Sequence, residues 1–266
     1  MTTFLDLHVP GSPLLMPNPW DVGSAKLLAS LGFQALATTS SGFAATLGGL
    51  DGSVTRDQAI AHAGTLVAAV HVPVSADLEN CFADDPAGVA ETVGLAIDVG
   101  LAGCSIEDFT RRTEDPIYEL GAAVERVAAA AERAHAGPVP FVLTARCENH
   151  VHRRVDLADT IARLQAYQQA GADVLFATGV SGAADIRSIV SSVDRPYNVL
   201  VTAASPPVAE LAAIGVARIS VGGAFAYAAM AAVIDAAQEL RGQGTYGYTA
   251  KVPAARAAAR DAFSSR

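Results

Sequence analysis

Carboxylates end two apolar segments of the chain that have the composition of buried strands. The segment V74-S-A-D-L-E-N-C-F82 carries Asp77 and Glu79, and the segment G103-C-S-I-E-D108 carries Glu107. A bare carboxylate is costly away from water, so acids that follow buried strands need a partner. Residues two apart in an extended strand face the same side, so Asp77 and Glu79 can converge. Oxygen-only ligands favour a hard divalent cation, and the pattern predicts Mg²⁺, with Mn²⁺ as a second possibility.

A positive charge follows the fifth apolar segment, in T144-A-R-C-E-N149. A guanidinium holds a carboxylate or a phosphonate with two parallel hydrogen bonds, so Arg146 is predicted to bind an anionic substrate. The alternative is that Arg146 only balances the acids, with Glu148 as its partner. For the acids themselves, the alternative to metal binding is that they cap helices.

A segment rich in glycine and serine, S40-S-G-F-A-A-T-L-G-G-L-D51, follows the second apolar segment. Gly42 allows backbone N–H groups to approach a ligand, and the serine hydroxyls can donate to an anion. A flexible loop without function is the alternative. Asp51 is predicted to reach the cation through water, or else to be an acid at a helix N-terminus. Asn198 is polar within an apolar segment, and it either faces the ligand or braces the strands.

Short apolar segments alternate with amphipathic, alanine-rich segments along the chain. Strands that alternate with helices in this way indicate βαβ units and a parallel sheet. The length of 266 residues suits one α/β domain of the (β/α)8 TIM barrel type, which needs roughly 250 residues, although two domains of roughly 130 residues would have the same length. The eight predicted strands are Leu14–Pro17, Ala35–Thr39, Val72–Ala76, Gly103–Ile106, Phe141–Ala145, Val174–Ala177, Tyr197–Val201 and Arg218–Val221.

Glycine marks the end of several predicted helices, just before the next strand, where it relieves the left-handed closing position. These glycines are Gly32, Gly100, Gly171 and Gly215. No change in composition indicates a second domain, so residues 1–266 are predicted to form a single barrel domain with residues 224–266 as a C-terminal helical tail. The tail begins with the apolar helix Ala224–Arg241, which is more than a minimal barrel needs and could pack on a neighbouring subunit.

Composition and charge exclude several classes of protein. Hydrophobic residues make up 51% of the chain, which is enough for a large core, and the net charge of −9 without a basic cluster makes nucleic acid and anionic membranes unfavourable partners. Three cysteines are too few and too odd in number for a disulfide framework, which predicts a reducing, cytoplasmic location. The N-terminal residues have no basic region followed by an apolar run, and no segment has about 18 uninterrupted apolar residues, so neither a signal peptide nor a membrane span is predicted.

Taken together, these segments resemble the isocitrate lyase/phosphoenolpyruvate mutase superfamily, over roughly residues 16–225. The resemblance rests on S41-G-F43, Asp51, D77-L-E79, S105-I-E-D108, A145-R146 and Asn198, in that order at strand ends. It implies a (β/α)8 barrel with Mg²⁺ near Asp77. It places Asp51, Glu79 and Glu107 in a mostly water-mediated shell around the metal.

The resemblance also implies a 2-oxo acid or its enolate on the metal. Ser41, Gly42 and Phe43 would donate to its carboxylate or oxyanion, and Arg146 would bind its acid group. Asp77 and Asn198 would complete the substrate site, with Ser41 and Arg146 as catalytic residues. A swapped C-terminal helix and a homodimer or homotetramer are implied as well.

One segment departs from the superfamily pattern. Its lyases carry a K-K-C-G-H-type loop after the fourth strand, in which the cysteine donates a proton, and its mutases carry a longer gating loop with K-x-x-x-x-N character. Here the corresponding segment is F109-T-R-R-T-E-D-P-I-Y118, without Cys, Lys, His or Asn. The chain therefore resembles a phosphonomutase-like branch without the lyase cysteine, and Arg111, Arg112 and Tyr118 are the candidates for a polar role in its gate.

The sequence thus predicts a Mg²⁺-dependent enzyme that breaks or forms a C–C bond beside the carbonyl of a 2-oxo acid, through an enolate stabilised by the metal. A lyase or an oxaloacetate-decarboxylase-like reaction is the first expectation. The alternatives are P–C chemistry on phosphonopyruvate or phosphoenolpyruvate, and a barrel that binds a 2-oxo acid with little turnover. A barrel with unrelated chemistry, whose acids only cap helices, is a further alternative.

Overall fold

Eight parallel strands form one sheet that is nearly closed into a barrel, in a computed structural model that describes residues 3–264. The predicted domain limits, residues 1 and 266, lie outside the described part. The strands follow one another around the sheet in chain order, and the eighth lies beside the first. They are β1 (Leu14–Met16), β2 (Leu36–Ala37), β3 (Val74–Asp77), β4 (Gly103–Glu107), β5 (Val142–Cys147), β6 (Val174–Ala177), β7 (Tyr197–Leu200) and β8 (Arg218–Ser220).

The first and second strands meet where the barrel closes. The N–H of Ala37 in β2 donates to the carbonyl of Pro17, just after β1, at 3.1 Å. The remaining neighbours pair in parallel register, as βαβ units require. The predicted (β/α)8 barrel is therefore confirmed, with all eight strands within two residues of their predicted bounds.

Helices cover the outside of the barrel. Side chains cap the N-termini of five of them, as in the reciprocal pair of Asp21 and Ser24 before the first helix. Gly215 closes the eighth helix at φ 99°, the left-handed position predicted for it. The helices are α1 (Val22–Ser30), α2 (Ser40–Thr46), α3 (Arg56–Ala69), α4 (Pro86–Asp98), α5 (Leu120–His135), α6 (Leu157–Gln169), α7 (Ala183–Val190), α8 (Val208–Ile214), α9 (Ala224–Gln243) and α10 (Val252–Ser264).

The main apolar core lies between the sheet and these helices. Leu36, Leu143 and Leu175 project from the strands into it and are fully buried. A smaller apolar cluster around Phe4 and Val142 lies at the amino ends of the strands, where Val142 begins β5. The three cysteines are buried and free, as expected from their number.

The two C-terminal helices pack against different parts of the chain. Helix α10 packs on α1, whereas α9 contacts α2 and the short 3₁₀ helix Gly247–Lys251. Over its twenty residues α9 buries only Ala226. None of the helices in residues 3–264 combines the length and the hydropathy that a membrane span requires.

Candidate functional site

Charged residues gather at the carboxyl ends of the third, fourth and fifth strands. Asp77 ends β3, Glu107 ends β4, and Arg146 is the fifth residue of β5. Glu107 pairs directly with Arg146 in the sheet register. Because parallel strands end at one rim of the barrel, residues distant in sequence meet there.

Arg146 is the centre of this rim. Its Nη1 lies 2.7 Å from Oδ1 of Asp77, and its Nη2 lies 3.1 Å from Oε2 of Glu107. Nη2 also lies 3.0 Å from Oε1 of Glu148, which accepts a hydrogen bond from Nε as well. Burial alone would lower the pKa of Arg146, but the surrounding carboxylates raise it well above its usual value, so it stays charged.

Glu148 belongs to the rim, although the sequence suggested it only as a balancing partner of Arg146. It is buried and accepts a hydrogen bond from the hydroxyl of Thr178 at 2.6 Å. Its backbone N–H donates to Asp108 at 2.8 Å, and Tyr167 donates to the other oxygen of Asp108. The spacing Arg146–Glu148 was the available signal, since residues two apart in a strand face the same side.

Asp77 is held from two sides. Its Oδ1 faces Arg146, and its Oδ2 accepts hydrogen bonds from the backbone N–H and the hydroxyl of Ser40, at 3.2 and 3.0 Å. Its own N–H donates to the hydroxyl of Thr38. The carboxylate thus links the third strand to the start of α2.

Glu79 follows β3 in a turn of unusual backbone geometry. The turn has three residues with positive φ, namely Glu79 at 50°, Cys81 at 57° and Phe82 at 54°. The buried guanidinium of Arg126 stabilises the turn by donating to its carbonyl oxygens at Asn80 and Ala83. Such a conformation is costly for residues other than glycine, so this clamp fixes the direction in which Glu79 points.

Two acids of the rim, Glu79 and Glu107, resist ionisation. Burial and then the neighbouring Asp77 raise the pKa of Glu79 from 4.5 to about 7. Burial raises the pKa of Glu107 well above its usual value, and the charge of Arg146 offsets this only in part. Glu79 Oε1 is buried without a hydrogen-bond partner. A cation placed among these acids would restore their charged form.

Asp51 lies apart from the other acids. It is exposed in the connection between α2 and α3, and its carboxylate accepts a hydrogen bond from the N–H of Gly52. Its charge nevertheless contributes to the raised pKa of Glu79, which places it within electrostatic range of the rim. Contact through water remains the prediction for Asp51.

The segment with Ser41, Gly42 and Phe43 is a helix and not the flexible loop considered from its composition. Thr39 caps α2 through its hydroxyl, which accepts from the N–H of Gly42, and its carbonyl accepts from the N–H of Phe43. A Cβ at Gly42 would lie 2.6 Å from Cγ2 of Thr39. Gly42 is therefore required for close packing, and its N–H is already used within the helix.

Ser41 and Phe43 occupy different surroundings. The Ser41 hydroxyl lies 3.2 Å from that of Thr39 and packs against Gly223, beyond β8. Phe43 stacks on His62 with ring centroids 3.8 Å apart. The structure thus brings Ser41 to the rim, whereas Phe43 faces a small cleft that it shares with Glu79.

Asn198 braces the barrel interior. Its amide Nδ2 donates to the hydroxyl of Ser220 at 3.0 Å, and its Oδ1 accepts from Nε of Arg218 at 2.9 Å. It also lines a cavity of about 80 Å³ in the mouth of the barrel, together with Asp77 and Arg146. Asn198 therefore both braces the strands and faces the cavity, the two alternatives predicted for it.

The gate segment 109–118 lies against the acids. Arg111 adopts φ 64°, and its Nη1 is 3.6 Å from Oε2 of Glu79. It also donates to the carbonyl of Gly52. The hydroxyl of Tyr118, at the end of the segment, donates to Asp84. These contacts tie the gate to the rim and to the α2–α3 connection.

The residues present fit a hard cation, although no group of three or more His, Cys, Asp and Glu side chains in residues 3–264 is already arranged as a metal site. Asp77, Glu79 and Glu107 supply only oxygen atoms, which Mg²⁺ prefers. The unpartnered, buried oxygen of Glu79 has no protein donor to satisfy it. Contacts through water suit this spacing, because Mg²⁺ keeps several of its waters.

The fold and the rim define a (β/α)8 barrel with a buried cluster of acids around one arginine. The sequence model of the phosphoenolpyruvate phosphomutase family matches residues 4–241. The chain belongs to the isocitrate lyase/phosphoenolpyruvate mutase superfamily, as its motifs indicated.

Three relatives show how the chain sits among known proteins. A solved structure from Burkholderia cenocepacia J2315, provisionally described as a lyase/mutase, is 51% identical, with a TM-score of 0.90, over 93% of this chain and 89% of that chain. The oxaloacetate decarboxylase of Pseudomonas paraeruginosa is 32% identical over 84% of this chain and 79% of its own length. The 2-methylisocitrate lyase of Escherichia coli K12 is 29% identical over 72% and 70%.

Proposed function

We propose that this protein is a Mg²⁺-dependent enzyme that breaks or forms a C–C bond beside the carbonyl of a 2-oxo acid, through an enolate. The observation that carries the proposal is the buried cluster of Asp77, Glu107 and Glu148 around Arg146 at the carboxyl rim. Relatives named as lyases and a decarboxylase support this class of reaction.

The acids of the rim would hold the metal, and Mn²⁺ could replace Mg²⁺. Asp77, Glu79 and Glu107 are the proposed ligands, with Asp51 acting through water. When bound, the cation supplies the positive charge that stabilises an enolate oxygen. Without the cation, the four rim acids Asp77, Glu79, Glu107 and Glu148 face the two positive charges of Arg146 and Arg111. Two of these acids, Glu79 and Glu107, have raised pKa values.

Arg146 is proposed to bind the acid group of the substrate. Arg146 lines the mouth cavity, and the ring of Phe176 supports it at 5.1 Å from the centroid. Its other donors bond to carboxylates, but Nη1, which bonds to Asp77, has a second N–H for a ligand. A fixed guanidinium binds a carboxylate with less loss of side-chain freedom than a mobile one. Ser41 offers a hydroxyl at the same rim, whereas donation from Gly42 or Phe43 requires the first turn of α2 to rearrange, because their N–H groups bond to Thr39.

The gate would exclude water during the reaction. Arg111 anchors it to Glu79, and the backbone of Thr110 bonds to that of Pro116, so the segment is internally ordered. Lids of this kind protect reactive intermediates from solvent. The gate contains no cysteine, so the proton donor of this enzyme differs from that of the superfamily's lyases.

P–C chemistry on phosphonopyruvate or phosphoenolpyruvate is the second candidate. The matching family model, which is that of phosphoenolpyruvate phosphomutases, favours it. Arg146 can bind a phosphonate as well as a carboxylate. The gate, which lacks the K-x-x-x-x-N residues of the mutases, makes this candidate less favourable.

The two candidates separate in a substrate test. Purified protein with Mg²⁺ is incubated with oxaloacetate, with 2,3-dimethylmalate and with phosphoenolpyruvate, and products are followed by ¹H and ³¹P NMR. Cleavage of a C–C substrate that EDTA and Arg146→Met both abolish supports the proposal. Phosphonate formation alone would favour the second candidate. No turnover of any substrate by protein that binds Mg²⁺ would favour a binding barrel.

A further inference from the structure

Arg218 is a buried cation without a negatively charged partner. It is the first residue of β8 and is 3% exposed. Its guanidinium contacts Oδ1 of Asn198 at 2.9 Å, Oγ1 of Thr144 at 3.1 Å and Nε2 of His8 at 3.2 Å. Burial and the nearby Arg218 lower the pKa of His8 to about 3, so all three partners are neutral.

The other buried arginines are compensated. Arg146 contacts three carboxylates, and Arg163 contacts Asp108 and Asp159. Arg126 donates to three backbone carbonyls and lies over the ring of Tyr118. Within residues 3–264, Arg218 is thus the buried arginine that has neither an acid nor a carbonyl cage.

The sheet register places Arg218 in a row with Arg146. Arg146 pairs with Phe176, Phe176 with Asn198, and Asn198 with Arg218, across four neighbouring strands. All four residues line the mouth cavity. A cation therefore stands at each end of the row, with an aromatic ring and an amide between them.

An unpaired buried cation is expensive for the fold. Desolvation of a charge costs several kcal/mol unless an opposite charge restores it, and apolar residues in its place often stabilise a protein. Burial, together with the charge of Arg146, lowers the pKa of Arg218 to about 9, which is a further sign of this cost. A residue that breaks this rule beside a cavity points to a ligand that supplies the missing charge.

We propose that Arg218 is a second anion-binding group of the cavity, and that the ligand is a short dicarboxylate with one acid group toward Arg146 and the other toward Arg218. The cavity of about 80 Å³ exceeds the roughly 10–15 Å³ that one water needs, so it has room for a small ligand. This inference rests on the proposed function and adds Arg218 to its site as a residue that determines specificity. Binding itself needs no turnover, so it can be tested separately.

Succinate and succinamate are suitable probes, because they have the same shape and differ by one negative charge. Their affinities for the Mg²⁺-loaded protein are measured by calorimetry for the wild type, Arg218→Met and Arg218→Lys. Methionine keeps much of the length without the charge, and lysine keeps the charge. We expect wild type to bind succinate at least 10-fold more tightly than succinamate.

In Arg218→Met the affinity for succinate should fall roughly 30-fold or more, which corresponds to the lower end of losses for buried charge pairs. The affinity for succinamate should change less than about threefold, since its single carboxylate can use Arg146. Arg218→Lys should restore part of the preference for succinate. The melting temperature of Arg218→Met should stay near that of wild type, because the substitution removes a desolvated charge.

An unchanged succinate-to-succinamate ratio in Arg218→Met would overturn the inference. So would equal loss of both ligands with a large fall in melting temperature, which would make Arg218 a brace for Asn198. If Arg218→Met does not fold, a wild type without preference for succinate overturns it as well. If the protein cleaves a C–C substrate but Arg218→Met keeps the wild-type ratio of succinate to succinamate affinity, the proposed function holds and the role of Arg218 fails. If the affinities change as expected but no substrate is turned over, the role of Arg218 holds and the proposed function fails.

Discussion

Charge is unevenly distributed among the residues at the rim of this barrel. Asp77, Glu79, Glu107 and Glu148 stand around the single guanidinium of Arg146, with Arg111 reaching in from the gate. Buried acids in excess of their cations are neutral or unstable until a further positive charge arrives. This imbalance is the physical reason to expect a metal at this position.

Asp77→Asn is expected to abolish Mg²⁺ binding. The substitution removes a negative oxygen but keeps the size of the side chain, so the contact with Ser40 can persist. Titration calorimetry of wild type and variant measures the effect. Asp98→Asn, an exposed acid on α4, serves as the matched control and should bind Mg²⁺ like wild type. Equal Mg²⁺ affinity of Asp77→Asn and wild type would refute the metal assignment.

Arg146→Ala is expected to weaken the binding of an anionic substrate by about 2–5 kcal/mol, the usual loss when one partner of a buried charge pair is removed. The KM or the dissociation constant measures the loss. Arg187→Ala, an exposed arginine on α7, is the control. Should every anionic substrate bind Arg146→Ala as tightly as wild type, Arg146 would serve only to balance the acids.

The raised pKa of Glu79 predicts how stability depends on pH in the absence of metal. Between pH 4.5 and about 7 the folded state keeps a proton on Glu79 that the unfolded state has released. The folded state thus binds more protons, so its stability falls as pH rises through this window, by up to about 3 kcal/mol. Mg²⁺ should reverse the loss by favouring the charged form.

Urea unfolding at pH 4.5 to 8 with EDTA measures this dependence. Glu79→Gln should flatten the fall in stability, because glutamine does not titrate. Glu125→Gln, on the exposed side of α5, should retain it. A Glu79→Gln profile that runs parallel to wild type would show that Glu79 ionises normally.

The sequence revealed those site residues that stand at strand ends. Asp77, Glu107 and Arg146 were identifiable because an apolar strand exposes its last inward residue at the barrel mouth. The role of Gly42 was not predictable, since its packing depends on Thr39 and on Ala226 of the distant α9. Ser40, which donates to Asp77, lacked any signal that distinguishes it from Ser41.

Among the secondary-structure elements, the strands and the main helices could be predicted from two patterns. These are the alternation of apolar with amphipathic segments and the glycines at helix ends. Gly32, Gly100, Gly171 and Gly215 all have positive φ, as their position at helix ends required. Helix α2 was missed because one glycine and two serines within seven residues disfavour a helix in composition. The cap by Thr39 and burial against the barrel outweigh that preference.

Helix α9 predicts an oligomer. Val233 and Ile234 are 68% and 55% exposed on a helix that buries little of its surface against its own chain. A second copy of the chain would cover this apolar face, in agreement with the homodimer or homotetramer, formed by helix swapping, that the resemblance implies. Wild type is expected to be a dimer or tetramer in light scattering after gel filtration, and the double variant Val233→Asp/Ile234→Lys is expected to be monomeric.

Gln238→Lys tests whether the effect is specific, since it adds a charge at an exposed polar position of the same helix. It should keep the oligomeric state of wild type. A monomeric wild type at micromolar concentration would contradict the proposed oligomer, whatever the variants do.

In the whole molecule, closure of the barrel brings together residues that are distant in sequence, and no local sequence pattern predicts these contacts. The row from Arg146 to Arg218 joins residues more than seventy positions apart, and its existence depends on the register of four strands. The same closure places neutral His8 against Arg218. Sequence patterns predict which strands end in charges, but not which charges remain unpaired once the sheet has closed.

Enolate formation that depends on Mg²⁺ at this rim is measured by exchange of the methyl protons of pyruvate in D₂O. ¹H NMR follows the loss of the methyl signal with wild-type protein, with and without Mg²⁺, and with Asp77→Asn. Exchange is expected to require both Mg²⁺ and Asp77. Absence of exchange by protein that binds Mg²⁺ and pyruvate would contradict the proposed enolate chemistry.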